Sequence, residues 1–188
     1  MRIVAGRLRG KKLAEVGQGD AAAHLRPTTD RVRESLFNVL TNGKFGNPVA
    51  GARVLDLFAG TGALGLEALS RGADHVTFVD DGIAARALLR DNVGLCQAQG
   101  VTKIFRRDAC DLGEVRGAPF DLIFLDPPYG QGLGERAIAS ARLGGWIAPD
   151  AVIVWEDSAP PNLPSGFCLL DQRTYGGTVI TIARAEGA

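Results

Sequence analysis

The apolar positions along the chain fall into two regimes. Up to about residue 50 they are sparse and follow one helical stripe, Val32, Leu36, Phe37 and Leu40. That spacing predicts an amphipathic helix over about 29–41. Leu25-Arg26-Pro27-Thr28-Thr29-Asp30 reads as its start signal and Asn42-Gly43 as its stop. Ahead of it, Arg2 to Leu13 reads as two short strands around a Gly turn, and 17–23 as a small polar loop. After Ala50 short apolar runs alternate with helical periodicity. Strands are predicted at 53–57, 75–79, 101–105, 120–125 and 151–155, with helices at 63–70, 83–98 and about 133–143. The alternation implies a mostly parallel sheet with helices on both faces. The tail breaks it. Phe167 to Asp171 and Thr178 to Ala183, separated by Tyr175-Gly176-Gly177, read as an antiparallel hairpin on the sheet edge.

Composition adds little to this picture and removes several alternatives. A chain of 188 residues, 46% hydrophobic and 22% charged, suits one globular unit. No apolar run is long enough to cross a bilayer, and the basic N-terminus lacks the apolar core of a secretory signal, so a cytoplasmic protein is expected. Three scattered cysteines argue against a disulfide framework. Two histidines, His24 and His75, leave little for a metal site or a His-based triad, so no metal is expected. The zero net charge conceals an asymmetry. Residues 1–50 hold nine Lys/Arg against four Asp/Glu, the remainder twelve against seventeen. A basic N-terminal extension of about 1–45 on a domain of 46–188 that is not itself basic is the pattern of a polyanion-binding enzyme, although a solvated basic surface gives the same count.

The candidate chemistry lies at the carboxyl ends of the predicted strands, where an open parallel sheet binds ligands. Asp56, Asp80, Asp108 and Asp126 all stand there. Gly60-Thr61-Gly62-Ala63-Leu64-Gly65 fits the G-x-G-x-x-G turn of dinucleotide sites, and Asp80 would suit a ribose diol in NAD or in another nucleoside cofactor. Asp56 separates the two. A carboxylate at the mouth of the first strand would repel a pyrophosphate but suit the cationic methionine end of S-adenosylmethionine. The Asp56-x-x-x-Gly60-x-Gly62 turn resembles the first motif of the class I methyltransferases.

Asp126-Pro127-Pro128-Tyr129 follows the fourth strand and resembles the [DN]-P-P-[YF] motif of amino-directed methyltransferases. The Asp126 carboxylate and the Pro127 carbonyl can each accept an N–H of a planar amine, aiming its lone pair at a methyl group. Two prolines stiffen the loop, and Tyr129 can stack on a base. The motif alone leaves the acceptor open among adenine, cytosine, guanine and glutamine amines.

More of the chain points to one family. Arg2-Ile3-Val4-Ala5-Gly6, Arg9-Gly10-Lys11-Lys12-Leu13, the segment from Leu25 to Asn38, and Leu64 to Gly72 together resemble the RsmD family. The resemblance implies a class I methyltransferase fold: a Rossmann-like, seven-stranded sheet with a C-terminal antiparallel hairpin and a small N-terminal hairpin-and-helix extension. It implies transfer of methyl from S-adenosylmethionine to the N2 amine of a guanine in small-subunit ribosomal RNA, on an assembled or nearly assembled subunit, by a monomer. Carried over by position, Arg26, Pro27 and Thr28 would lie near the cofactor. Asp56, Phe58, Gly60, Thr61 and Gly62 would hold its methionine end, Asp80 its ribose, and Asp108 and Ala109 its adenine edge. Given that substrate, the basic residues Arg7, Arg9, Lys11, Lys12 and Arg31, with Arg2 and Arg33, are candidates to track RNA phosphates, with some of them structural and Arg33 and Glu34 open to pairing with neighbours on the helix surface. The chain departs from many relatives in carrying Asp80-Asp81-Gly82 where they carry Glu-x-Asp. A DNA or other RNA amino-methyltransferase, a NAD-dependent oxidoreductase and a non-catalytic RNA-binding module are the competing readings.

Overall fold

The computed structural model describes residues 1–15 and 29–187. Seven strands form one sheet: β1 (Arg53–Leu57), β2 (His75–Val79), β3 (Thr102–Phe105), β4 (Phe120–Leu125), β5 (Ile147–Asp157), β6 (Phe167–Tyr175) and β7 (Thr178–Ala185). Their order is β3-β2-β1-β4-β5-β7-β6. The first five are parallel and β7 joins β5 antiparallel, so the tail hairpin closes the edge. The order reverses between β1 and β4, which places a switch-point crevice above those two strand ends.

Strand side chains alternate between two cores. Val54, Phe78, Phe124, Val154 and Ile182 share one core with helices α1 (Asp30–Asn42), α2 (Ala63–Ser70) and α3 (Ile83–Leu95). Leu55, Val79, Leu125 and Trp155 share the other with α4 (Leu133–Leu143). The predicted stripe of α1 lands on the first core. Phe37 meets Phe124 with ring centroids 5.6 Å apart, and the Thr29 hydroxyl caps the helix by accepting the Val32 N–H at 3.3 Å.

Four expectations change at their edges. The N-terminal hairpin is held by one antiparallel bridge, Arg2 to Lys12, and by backbone bonds between Ile3 and both Gly10 and Lys11, while the Val4, Ala5 and Leu8 amides donate to α2 side chains. Helix α3 stops at Leu95, since Gln97 takes a left-handed conformation (φ 52°) and a turn of 3₁₀ helix follows at Gln99–Val101. β5 begins at Ile147, ahead of a register shift opposite Phe120/Leu122, with Asp150 at φ 61° inside it. The hairpin strands run longer than predicted, to Tyr175 and Ala185, around Gly176-Gly177. The loop expected at 17–23 lies outside the described residues, as do Arg26, Pro27 and Thr28.

Candidate functional site

The glycine turn joins β1 to α2. Phe58, Gly60 and Gly62 all adopt positive φ, at 58°, 56° and 77°. For Gly62 the absence of a side chain is enforced twice. Its φ is left-handed, and a Cβ would lie 2.3 Å from a Leu89 methyl. Thr61 is buried, and its carbonyl accepts an N–H from the Asn92 side chain at 2.9 Å. Asn92 occupies a core position of α3 and also exchanges hydrogen bonds with the backbone of Ala14, at 2.6 and 3.2 Å. It thereby ties the N-terminal arm to the glycine turn. Its polar identity on the Ala85, Leu89, Val93 stripe is a signal that the sequence reading passed over.

Asp56 is buried at the end of β1, and its carboxylate accepts the Gly65 N–H at 3.0 Å. That amide is one of the unpaired donors in the first turn of α2, so Asp56 caps the helix. Burial pushes its carboxyl up to about 8, against the Gly65 hydrogen bond and aided by the negative charge of Asp80. Asp80 bridges two loops, accepting the Gly60 N–H at 2.9 Å and the Gly82 N–H at 2.8 Å. Its carboxyl is also raised, chiefly by burial. Behind it, the Arg86 guanidinium donates to the Asp81 carbonyl. Ile83, 78% exposed, opens α3 three residues after Asp80 and offers an apolar surface at the site. Asp108 is exposed and closes a local turn by accepting the Cys110 N–H at 2.8 Å, while Ala109 is buried against the second core.

Asp126 follows β4, with its N–H directed at the Leu57 carbonyl at 3.5 Å. Leu125 and Trp155 are register partners, so Asp126 and Glu156 emerge side by side from adjacent strands. By alternation both point to the face that Asp56 also uses. The Asp126 carboxyl is raised well above the ordinary carboxylate range, first by burial and then by the charges of Glu156, Asp56 and Asp157. Pro127 is buried and Pro128 exposed. The Tyr129 hydroxyl donates to Glu156 at 3.2 Å and lies 3.3 Å from the Thr178 hydroxyl, which holds the ring between β5 and β7. Burial pushes its phenol up to about 12. Glu156 belongs to this constellation and was missed in the sequence, where only its place at the end of a buried strand marked it.

The N-terminal arm is docked rather than trailing. Glu67, fully buried on α2, accepts the N–H groups of Val4 and Ala5 at 2.8 and 3.0 Å and pairs with Arg71 at 2.8 Å and Arg33 at 3.5 Å. Gly6 sits so close to α2 that a Cβ would lie 1.9 Å from the Ser70 carbonyl oxygen. This corrects the reading of Arg33 as a phosphate contact. It is wholly buried and also bonds Asp30 at 2.8 Å. Arg7, Arg9, Lys11, Lys12 and Arg31 do expose their side chains. Among the described residues no group of three His, Cys, Asp or Glu is arranged to hold a metal, and no helix is long and apolar enough to cross a membrane.

The arrangement is a glycine turn, a line of raised carboxyls and a proline-stiffened loop at the switch point of the sheet. Comparison with known proteins finds relatives that match nearly the whole chain. Ribosomal RNA small subunit methyltransferase D of Escherichia coli K12 is 35% identical over 99% of this chain and 90% of its own length. The protein of that name from Haemophilus influenzae is 36% identical over 94% of this chain and 89% of its own. The solved structure of yhhF from Escherichia coli superposes with a TM-score of 0.84 at 36% identity, covering 100% of this chain and 99% of that one. Structures of more distant methyltransferases, such as that of a Pyrococcus horikoshii RNA methyltransferase candidate at 22% identity and TM-score 0.68, share the fold. With the family model described as "Conserved hypothetical protein 95" matching residues 1–184, this chain belongs to the RsmD family and has its class I methyltransferase fold.

Proposed function

We propose that this protein transfers a methyl group from S-adenosylmethionine to the exocyclic N2 amine of a guanine in small-subunit ribosomal RNA. The observation that carries the reading is the crowding of Asp56, Asp126 and Glu156 on one face of the sheet, with Asp126 leading into Pro127-Pro128-Tyr129. The names of the RsmD-type relatives support the ribosomal substrate.

The residues fit the cofactor. Asp56 and Asp80 are both raised, and a cationic ligand end lowers the cost of ionising them, whereas a pyrophosphate raises it. This weighs against a NAD-dependent oxidoreductase. Asp56, Phe58, Gly60, Thr61 and Gly62 would hold the methionine end, Asp80 the ribose hydroxyls, and Asp108 and Ala109 the adenine edge. Ile83 adds an apolar contact for the ring. When bound, S-adenosylmethionine supplies an electrophilic methyl group on sulfonium.

The chain's own groups do the rest. An Asp126 carboxyl oxygen and the Pro127 carbonyl accept the two N–H bonds of the amine and orient its lone pair. Tyr129, tethered by Glu156 and Thr178, stacks on the base. Arg7, Arg9, Lys11, Lys12 and Arg31 contact RNA phosphates. Arg26, Pro27 and Thr28, carried over from the family pattern, complete the cofactor side.

Tritiated S-adenosylmethionine offered with unmethylated small subunits and with naked ribosomal RNA tests the reading. Label at guanine N2 at one mapped nucleotide is expected, with the subunit the better substrate. Label on adenine N6, or none on either RNA form, would overturn it.

A further inference from the structure

Beside the base motif lies a groove that the proposed chemistry leaves unused. Its volume is about 760 Å³, and its walls are α1 and the segment from Asn42 to Phe45 on one side and β6 on the other. Arg31, Ser35, Asn38 and Asn42 line it along a single helical stripe, with Lys44 at the lower end and Arg173 opposite. At 1.5 Å of rise per residue the stripe from Arg31 to Asn42 is roughly 16 Å long.

The groove connects to Tyr129 through a chain of contacts. Tyr129 lies 3.3 Å from Thr178. Thr178 is the register partner of Tyr175 across the hairpin turn. The Tyr175 hydroxyl lies 2.9 Å from Ser35, which lines the groove. A strand whose target base is stacked on Tyr129 therefore has a continuous path over the hairpin turn and along α1.

The lining is mixed in sign, and this identifies the occupant. Arg31, Lys44 and Arg173 supply cations for phosphates. Glu34 and Asp171 are carboxylate acceptors, Asp171 engaging Arg173 at 2.9 Å. Asp171 orients Arg173, whereas Glu34 beside Ser35 and Asn38 is a further acceptor that phosphates alone do not call for. Ribose differs from deoxyribose by a hydroxyl that both donates and accepts, and carboxylates with Ser and Asn side chains can read it.

We propose that the groove between α1 and β6 holds the single-stranded RNA that flanks the methylated nucleotide, reading ribose hydroxyls as well as phosphates. The inference rests on the methyltransferase reading above and adds a surface distinct from the basic N-terminal arm.

The test uses the full chain with S-adenosylmethionine, unmethylated small subunits and a synthetic ribosomal RNA fragment. Asn38→Asp with Lys44→Glu places repulsive charge in the groove, and Lys103→Glu with Thr102→Asp makes a change of the same three charges at β3. The groove variant is expected to raise KM for RNA at least roughly tenfold and to lower the salt slope of binding by about one. Its cofactor affinity and kcat should stay within about twofold of the parent, which reports intact folding. Deoxyribose at the nucleotides flanking the target should weaken binding to the parent and leave the groove variant little changed. An unchanged KM in the groove variant, matching the β3 variant, overturns the proposal. So does retention of fragment binding with loss of subunit binding alone, which would put a protein in the groove. Absence of methyl transfer by the parent to any RNA would instead refute the functional reading.

Discussion

Replacing Asp56 with Asn separates what that residue does for the fold from what it does for the ligand. The Asn carbonyl oxygen can still accept the Gly65 N–H, so the cap on α2 survives. What changes is the charge. Burial raises the Asp56 carboxyl from 3.8 to about 8. A carboxyl raised in the folded state contributes no penalty below its unfolded value near pH 4. It costs progressively more as pH rises and reaches its full cost above about 8. Four units at 1.36 kcal/mol each give a ceiling of about 5 kcal/mol. For a chain of this size that is a Tm difference of up to roughly 10–20 °C. The ligand-free Asp56→Asn protein should therefore melt higher than the parent at pH 9 and at the same temperature at pH 4. Affinity for S-adenosylmethionine should move the opposite way, falling at least roughly tenfold at pH 8. At pH 7 the parent should release close to one proton on binding the cofactor, and the variant distinctly less. Calorimetry in buffers of different ionisation enthalpy measures that release, and thermal melts across pH measure the rest. A Tm difference that is flat from pH 4 to 9, with no change in proton release, would refute the assignment of Asp56 as a buried acid awaiting a cation.

Other perturbations probe separate parts of the molecule. Asp126→Ala should lose roughly 10²–10⁴-fold in methyl transfer while binding cofactor normally by calorimetry, and wild-type turnover would remove its role as amine acceptor. Glu67→Ala removes a buried counter-charge from Arg33 and Arg71 and frees the Val4 and Ala5 amides. Breaking such a buried pair costs about 3–5 kcal/mol, a fall in Tm of roughly 10 °C, and a loss of under 1 kcal/mol in denaturant melts would contradict the network described. Alanine at Arg7, Arg9 and Lys11 together should reduce the slope of log affinity against log salt by about two for RNA, while an unchanged slope would show that the arm does not touch phosphates.

The parts of this structure that were legible in the sequence are those that local physics decides. Strand ends were placed within a residue or two on β1, β2 and β4, because short apolar runs bounded by Asp and Gly admit few alternatives. Asp56 and Asp80 were found for the same reason, yet neither hydrogen bond to the glycine turn was foreseen. Long-range partners are set by register and docking, which local pattern does not carry. Arg33 shows the difference. It lies on the same stripe as Leu36, Phe37 and Leu40, so its position already marked it for burial. Its charge made a surface role the easier reading. Asp30, one helical turn earlier, is a local counter-charge, but only the docking of α1 against α2 reveals Glu67, thirty-four residues later, as the second and fully buried one. Glu156 follows the same logic at the site itself. It becomes a neighbour of Asp126 because β5 pairs with β4 with Trp155 opposite Leu125, and a register slip of one residue would turn it to the α4 face. The tether of Tyr129 thus depends on a pairing whose specificity comes from the core below it. Trp155, fully buried and packed so tightly that a Cβ on Gly134 would lie 2.3 Å from its indole, pins that register from the opposite face. Enlarging Gly134 should therefore disturb Tyr129 and Asp126 without touching either, by displacing the strand that carries Glu156.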